Sequence, residues 1–323
     1  MQPFNPALRF APAPLAVLCG LYMLSCANSP SKPMQNPDPQ ATPTKEPQAL
    51  ASTLTLSDYH SLRTVEVQVG KEAMPFLWDT GGGITLFTPK VAQEMGCTPF
   101  GQLTGYRMRG EAVKFPRCND ASFRLGEVVF KAQTVGVFDL MALVPPGWEE
   151  IGGLIALSSF EDQPLTIDLA NDKVIVENAS TLAQRTQDMS PIDMKMVKQA
   201  SGFSTVVLAK ANSPGGELWI ELDSGSTGPL ILAPHAAKML GVDLEDPAQA
   251  QRIDSDKGPT IWKVKNVTLD MGPAGKIDTP ATVMDLIYDA NMGAPLMARY
   301  LWTMDMQTNR LWVSPHTPPA SKK

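Results

Sequence analysis

The sequence predicts an all-β chain built as two similar lobes, and three observations carry that reading. Short apolar runs alternating with polar residues recur along the chain, punctuated by Gly and Pro, which favours barrels or sandwiches. Helical pattern is confined to two short stretches. The two halves also repeat one another. LTIDLANDKVIV (165–176) matches WTMDMQTNRLWV (302–313), pairing Thr166 with Thr303, Asp168 with Asp305, Lys173 with Arg310 and Val176 with Val313, each 137 residues apart. At the same spacing GLIALSSF (153–160) falls on NMGAPLM (291–297), which sets Ala156 on Gly293. A repeat of more than about 100 residues is too long for a solenoid unit, so it reads as two lobes.

In chain order, LRTVEVQV, GKEA and MPFLWD (62–79) form a hairpin signal of two alternating runs around a Gly-containing turn. PKVAQEMG (89–96) has Pro early and Gly late, as a short helix does. GQLTGYRMRGEAVKF (101–115) brackets a polar stretch between Gly105 and Gly110, a second hairpin, and FRLGEVVFKAQTVGVFDL (123–140) continues the strands. The second copy repeats the series. FSTVVLAK, ANSPGG and ELWIELD (203–223) give the first hairpin, PHAAKMLG (234–241) the helix, RIDSDKGPTIW (252–262), with Gly258 and Trp262, the second hairpin, and VTLDMGPAGKIDTPATVMDL (267–286) the strands that follow. The mostly polar stretch 178–199 lacks a strand pattern. It reads as a crossing between lobes, with a strand beneath them as the alternative for part of it. The lobes are accordingly expected at 53–178 and 201–315, joined by 179–200, with a tail at 316–323.

Each copy carries one Asp-hydroxyl-Gly triplet between two apolar runs: Asp79-Thr80-Gly81 and Asp223-Ser224-Gly225, 144 residues apart. One such triplet is an ordinary strand-end turn, since all three residue types form turns. Two at equivalent points of a duplication meet the requirement of a carboxylate dyad. The difference between the spacings of 144 and 137 puts extra residues between the first triplet and Ala156, most simply at LVPPGWEE (143–150). Two carboxyls held close cannot both ionise easily. They share a proton, one pKa rising and the other falling. The ionised member takes a proton from an attacking water, while the protonated member donates to a carbonyl oxygen. Such chemistry needs no cofactor, metal or covalent intermediate.

On these residues the chain, over about positions 55 to 315, resembles a two-lobed aspartic peptidase, similar to pepsin in having both lobes on one chain and to a retropepsin in the economy of each lobe. The resemblance implies that Asp79 and Asp223 are catalytic, that Thr80 and Ser224 bond across to the opposite lobe, and that Gly81 and Gly225 let the loops turn. It also implies that hydrophobic-hydrophobic-Gly segments cross behind the loops. Met292-Gly293 fits that place in the second lobe. Leu154-Ile155-Ala156 fills it in the first, with Ala for Gly, and Gly82-Gly83 stands where the family more often has Ala or Ser. These departures leave open a shift of the Asp79 loop. The hairpin with Tyr106 and Gly110 takes the place of the family's flap, under which an extended peptide or unfolded-protein segment adds as a strand. One chain supplies both Asp residues, so a monomer is expected.

Residues 1–26 hold one basic residue, Arg9, then an apolar stretch ending in Leu24-Ser25-Cys26. That stretch is too short to span a bilayer comfortably and reads as a secretory signal. Its ending resembles a bacterial lipoprotein signal, which implies lipidation of Cys26. Ala27 after it, rather than Asp, points to the outer membrane, with the lobes in the periplasm or outside. Ordinary signal cleavage is the alternative. Six prolines between Pro30 and Pro47 make 27–52 an extended spacer. Cys97 and Cys118 are left as a possible disulfide, or as free thiols packed in a core. A net charge of −6 without a basic cluster argues against nucleic acid. The three His are not paired at metal-ligand spacing, so no metal site is expected. The leading expectation is a lipid-anchored aspartic endopeptidase. The alternatives are a catalytically weak relative that binds peptide or protein in the same cleft, and a structural envelope lipoprotein.

Overall fold

The computed structural model describes residues 51–255 and 258–316. The signal, Cys26, nearly all of the spacer, and the tail beyond His316 lie outside these residues. The described chain is all-β with a few short helices, and its two halves have the same topology. In the first half the strands run, edge to edge, Ser52–Tyr59, Leu62–Val69, Glu72–Trp78, Gly153–Ile155, Leu86–Phe87, Val128–Val137, Ala112–Leu125 and Phe100–Tyr106. In the second they run Met194–Gln199, Ser204–Ser213, Gly216–Asp223, Ala290–Gly293, Leu230–Leu232, Lys276–Val283, Ile261–Asp270 and Ala250–Ile253. Each series curls on itself through one further pairing, Gln68 with Arg124 and Asn212 with Asp270. The helices Pro89–Glu94 and Pro234–Met239 occupy matching places, each opened by its Pro.

Alternation explains the strands. In Leu62–Val69 the residues Val65, Val67 and Val69 are buried while Glu66 and Gln68 face water. The strand ending at Asp223 is different. Leu218, Ile220 and Leu222 enter the core, yet Glu221 and Asp223 on its other face are buried too. Beneath Asp79 the first lobe packs an aromatic chain in which Trp78 meets Phe160, Phe160 meets Phe130 and Phe76 meets Phe87, at centroid distances of 4.8 to 5.5 Å.

The repeated blocks that revealed the duplication do not stay within separate lobes. Leu165–Asp168 pairs antiparallel with Tyr300–Asp305, so that Thr166 faces Thr303 and their hydroxyls lie 2.8 Å apart. Lys173–Val176, the N-terminal half of Ser52–Tyr59, Arg310–Pro315 and Ser190–Ile192 complete a six-stranded sheet shared by both halves. In the stretch 179–200 the polar crossing is only partly found, and the alternative of a strand beneath the lobes holds for part of it. Ala179–Thr186 is a helix capped by Asn178, Ser190–Ile192 joins the shared sheet, and Met194–Gln199 is the first strand of the second lobe. These two strands together match Ser52–Tyr59, whose two ends likewise pair with different sheets. Their pattern was faint because Pro191, Lys195 and Lys198 face outward. The extra first-lobe residues lie between Val137 and Gly153, where Trp148 stacks on His60 and the Tyr59 hydroxyl donates to the Glu149 carbonyl at 2.8 Å.

Candidate active site

Asp79 directly follows the strand Glu72–Trp78 and Asp223 ends the strand Gly216–Asp223, each strand flanked by a parallel strand from later in its own lobe. The turns that follow are twins. The Gly81 N–H donates to Asp79 Oδ1 at 3.0 Å and the Gly225 N–H to Asp223 Oδ1 at 2.9 Å. The hydroxyls then lock the lobes together. The Thr80 N–H donates to Ser224 Oγ at 3.0 Å and the Ser224 N–H to Thr80 Oγ1 at 2.9 Å. In turn the Thr80 hydroxyl donates to the Leu222 carbonyl at 2.6 Å, and the Ser224 hydroxyl to that of Trp78 at 2.9 Å. Both N–H groups and both hydroxyls of this buried latch are hydrogen-bonded, so the two Asp positions are fixed with respect to each other.

Gly81 and Gly225 are needed for a reason that turn chemistry did not give. Neither has a positive φ. A Cβ on Gly81 would fall into the Asp223 carboxyl, and one on Gly225 into that of Asp79, closer than 3.0 Å in both cases. Each glycine is the space in which the opposite carboxyl sits. The departures in the first lobe are accommodated. Gly83 has φ +71 and its carbonyl accepts from the Thr205 N–H of the other lobe at 2.9 Å. The Ala156 N–H donates to Thr85 Oγ1 at 3.0 Å, where Gly293 instead approaches the backbone of Ser226 and Gly228 too closely for any Cβ. Side chains hold the first loop where backbone holds the second, and the Asp79 turn is not displaced.

The two carboxyls come together where the turns meet, each in the space left by the glycine of the opposite turn, and they act on each other electrostatically. Burial raises Asp79 well above the ordinary carboxylate range, and the charge of Asp223 adds to this. Burial raises Asp223 as well, opposed first by the Asn291 amide and then by the N–H groups of Gly225 and Ser226. Asn291 Nδ2 donates at 2.6 Å to Asp223 Oδ2 and at 2.9 Å to Glu221 Oε2. Glu221 is thus a third buried carboxyl at the site, raised well above its ordinary value by burial and then by the charge of Asp223. Beside it Tyr288 accepts from Gln199 Nε2 at 2.8 Å, its hydroxyl pushed up to about 12 by burial and by Glu221. Sequence reasoning missed Glu221 and the role of Asn291. The signal lay in the alignment, which sets Glu221 opposite Leu77 and Asn291 opposite Leu154.

The dyad lies in a cleft of about 630 Å³. The hairpin of Phe100–Tyr106 and Ala112–Leu125 lines it with Gly105, Tyr106 and residues 107–109, and Gly110 makes the tip turn at φ +87. The tip reaches the other lobe, where the Ile287 N–H donates to the Met108 carbonyl at 2.9 Å. Tyr106 lines the cleft yet is 54% exposed. The second-lobe hairpin of Ala250–Ile253 and Ile261–Asp270 does not line it; there Arg252 lies over the Trp262 ring. Cys97, after the first helix, and Cys118, on the flap strand, are joined as a disulfide with Cα atoms 6.1 Å apart. Among the described residues no three His, Cys, Asp or Glu side chains converge as metal ligands.

No protein-family profile matches the chain, and no curated protein matches it in sequence. Solved structures do match in fold. Basic 7S globulin from soybean aligns with a TM-score of 0.54 at 11% identity, over 83% of this chain and 95% of the globulin. An aspartic proteinase from Irpex lacteus aligns at 0.52 and 10%, over 84% and 99%. The chain therefore has the two-lobed, pepsin-like all-β fold. A globulin and a proteinase share it, so the fold by itself does not assign catalysis.

Proposed function

We propose that the chain is an aspartic endopeptidase. The observation that carries the reading is the pair Asp79 and Asp223, one from each lobe, brought together in one cleft with each carboxyl against the opposite glycine and fixed there by the reciprocal Thr80–Ser224 latch. Asp223 accepts an amide donor from Asn291, whereas Leu154 stands at the matching place beside Asp79. Asp223 is therefore the better-stabilised anion, and the shared proton rests toward Asp79. A water between the carboxyls attacks the scissile carbonyl and gives a proton to Asp223, while Asp79 donates its proton to the carbonyl oxygen. The tetrahedral diol collapses as the amide nitrogen takes the proton from Asp223 and leaves as an amine, while a diol hydroxyl gives its proton to Asp79, which restores the starting dyad and leaves the new carboxylic acid. The flap hairpin offers its edge to an extended peptide.

The test is hydrolysis of a mixed peptide library between about pH 3 and 8 by the wild type and by Asp79→Asn and Asp223→Asn. Both variants are expected to lose at least about 100-fold in rate. Undiminished cleavage by either one would refute the dyad. A catalytically weak protein that binds peptide in the same cleft is the second reading, since the fold is shared by a globulin as well as by a proteinase. It would show peptide binding without hydrolysis by the wild type.

The same proposal places the protein on the bacterial cell envelope, anchored through lipid on Cys26, outer membrane rather than inner, as a monomer. The Leu-Ser-Cys ending, the proline-rich spacer and the Cys97–Cys118 bond, which suits an oxidising compartment, support this. Replacing Cys26 with Ser is expected to move the protein from the membrane fraction to the soluble one.

A further inference from the structure

The strands that lead into Asp79 and Asp223 are equivalent, but the residues two positions before each Asp are not. Alternation puts Leu77 on the cleft face with Asp79 and Glu221 on the cleft face with Asp223, and both line the cleft. Their neighbours on the adjoining parallel strands differ in the same sense: Leu77 is in register with Leu154, and Glu221 with Asn291. One flank of the dyad is thus an apolar wall and the other an acid with an amide. Glu221 is only 5% exposed, and Asn291 Oδ1 has no hydrogen-bond partner. Burying a carboxyl costs free energy that a leucine would not. The first lobe folds with leucine there, so the architecture does not call for the acid. Asp79, Asp223, Asn291 and Tyr288 act on or are acted on by Glu221, and among the described residues it forms no ion pair. The cations that line the cleft, Arg107 and Arg109, are on the hairpin, and Arg109 is paired with Glu111 at 3.2 Å.

We propose that Glu221 makes the second-lobe flank of the cleft a subsite for a basic side chain. The Leu77–Leu154 flank takes an apolar one, so the preferred peptide carries an apolar residue on one side of the scissile bond and Lys or Arg on the other. This assignment of substrate class rests on the peptidase reading. A Lys ammonium or Arg guanidinium supplies the cation that Glu221 lacks, and the pair forms a charge-assisted hydrogen bond in a site where an unpaired charge is costly. Asn291 holds the carboxyl in place through its bond to Oε2.

The test reads binding, so it does not depend on chemistry. Fluorescently labelled short apolar peptides, with Lys or norleucine walked through each position, are titrated against the Asp79→Asn protein and against the same protein carrying Glu221→Leu or Glu221→Gln. The expected result is at least one position where Lys binds about tenfold or more tighter than norleucine, with that preference lost in both Glu221 variants. Glu221→Leu copies the residue of the twin strand and Glu221→Gln keeps the shape, so a folding failure of one leaves the other to decide. No Lys preference at any position, or a preference that survives both substitutions, overturns the proposal. Wild-type hydrolysis is read separately. A Lys preference without hydrolysis sinks the peptidase reading and leaves the subsite standing, and hydrolysis without the preference does the reverse.

Discussion

At the scale of single residues, the glycines of the two triplets act by their lack of a side chain more than by their backbone freedom. Gly225→Ala is expected to lower kcat at least about 100-fold, because the new methyl collides with the Asp79 carboxyl. A variant with a wild-type melting temperature and unchanged kcat would refute this. Glu221 makes a second residue-scale prediction. Its folded pKa is raised above the ordinary 4.5, so the folded state keeps a proton that the unfolded state has lost. The associated stability is complete below that ordinary value and disappears as pH rises through the folded value. Melting temperatures of the wild type should therefore fall, relative to Glu221→Gln, as pH is raised from about 4.5 toward neutrality. Parallel curves would exclude the raised pKa. The dyad was legible in the sequence because its chemistry restricts residue choice to Asp-hydroxyl-Gly and the duplication supplies a second copy. Glu221 was not, because a single carboxylate inside an alternating strand looks like a solvent-facing residue. Only the curl of the lobe turns that face into a cleft wall.

At the scale of elements, the hairpins and the two short helices followed from local signals such as alternation, Gly turns and Pro at the helix start. The shared sheet did not, because its strands pair with the other copy and leave no local trace. The flap shows the same limit. Its strands were legible, but the reach of its tip to the other lobe, through the bond from the Ile287 N–H to the Met108 carbonyl, was not. Ile287→Pro removes that donor and leaves the hairpin itself intact. Amide exchange at residues 106–111 is expected to quicken about five- to tenfold, from the loss of one hydrogen bond of about 1 kcal/mol, with KM changing more than kcat. Unchanged exchange at the tip would show that the bond does not hold the hairpin down.

At the scale of the whole molecule, the duplication and the shared sheet together determine where the chain divides. Thr166 and Thr303, the residues whose repeat first exposed the two copies, meet across the sheet, and Thr166 also donates to the buried Glu177, which Arg185 reaches at 3.0 Å. Neither half carries this sheet alone, and neither carries both Asp residues. The second copy begins at Ser190, so the exposed pair Gln187 and Asp188 lies outside both sets of strands. Two co-expressed fragments, 51–187 and 188–316, are therefore expected to elute as one complex and to recover peptide hydrolysis, each being inactive alone. A break after residue 200, at the boundary the sequence suggested, separates Met194–Gln199 from its partner Ser204–Ser213 and leaves the second lobe without its first strand. That pair of fragments should assemble less well and hydrolyse less. If both breaks behave alike, the strands from 190 to 199 do not belong to the second lobe in the way their register indicates.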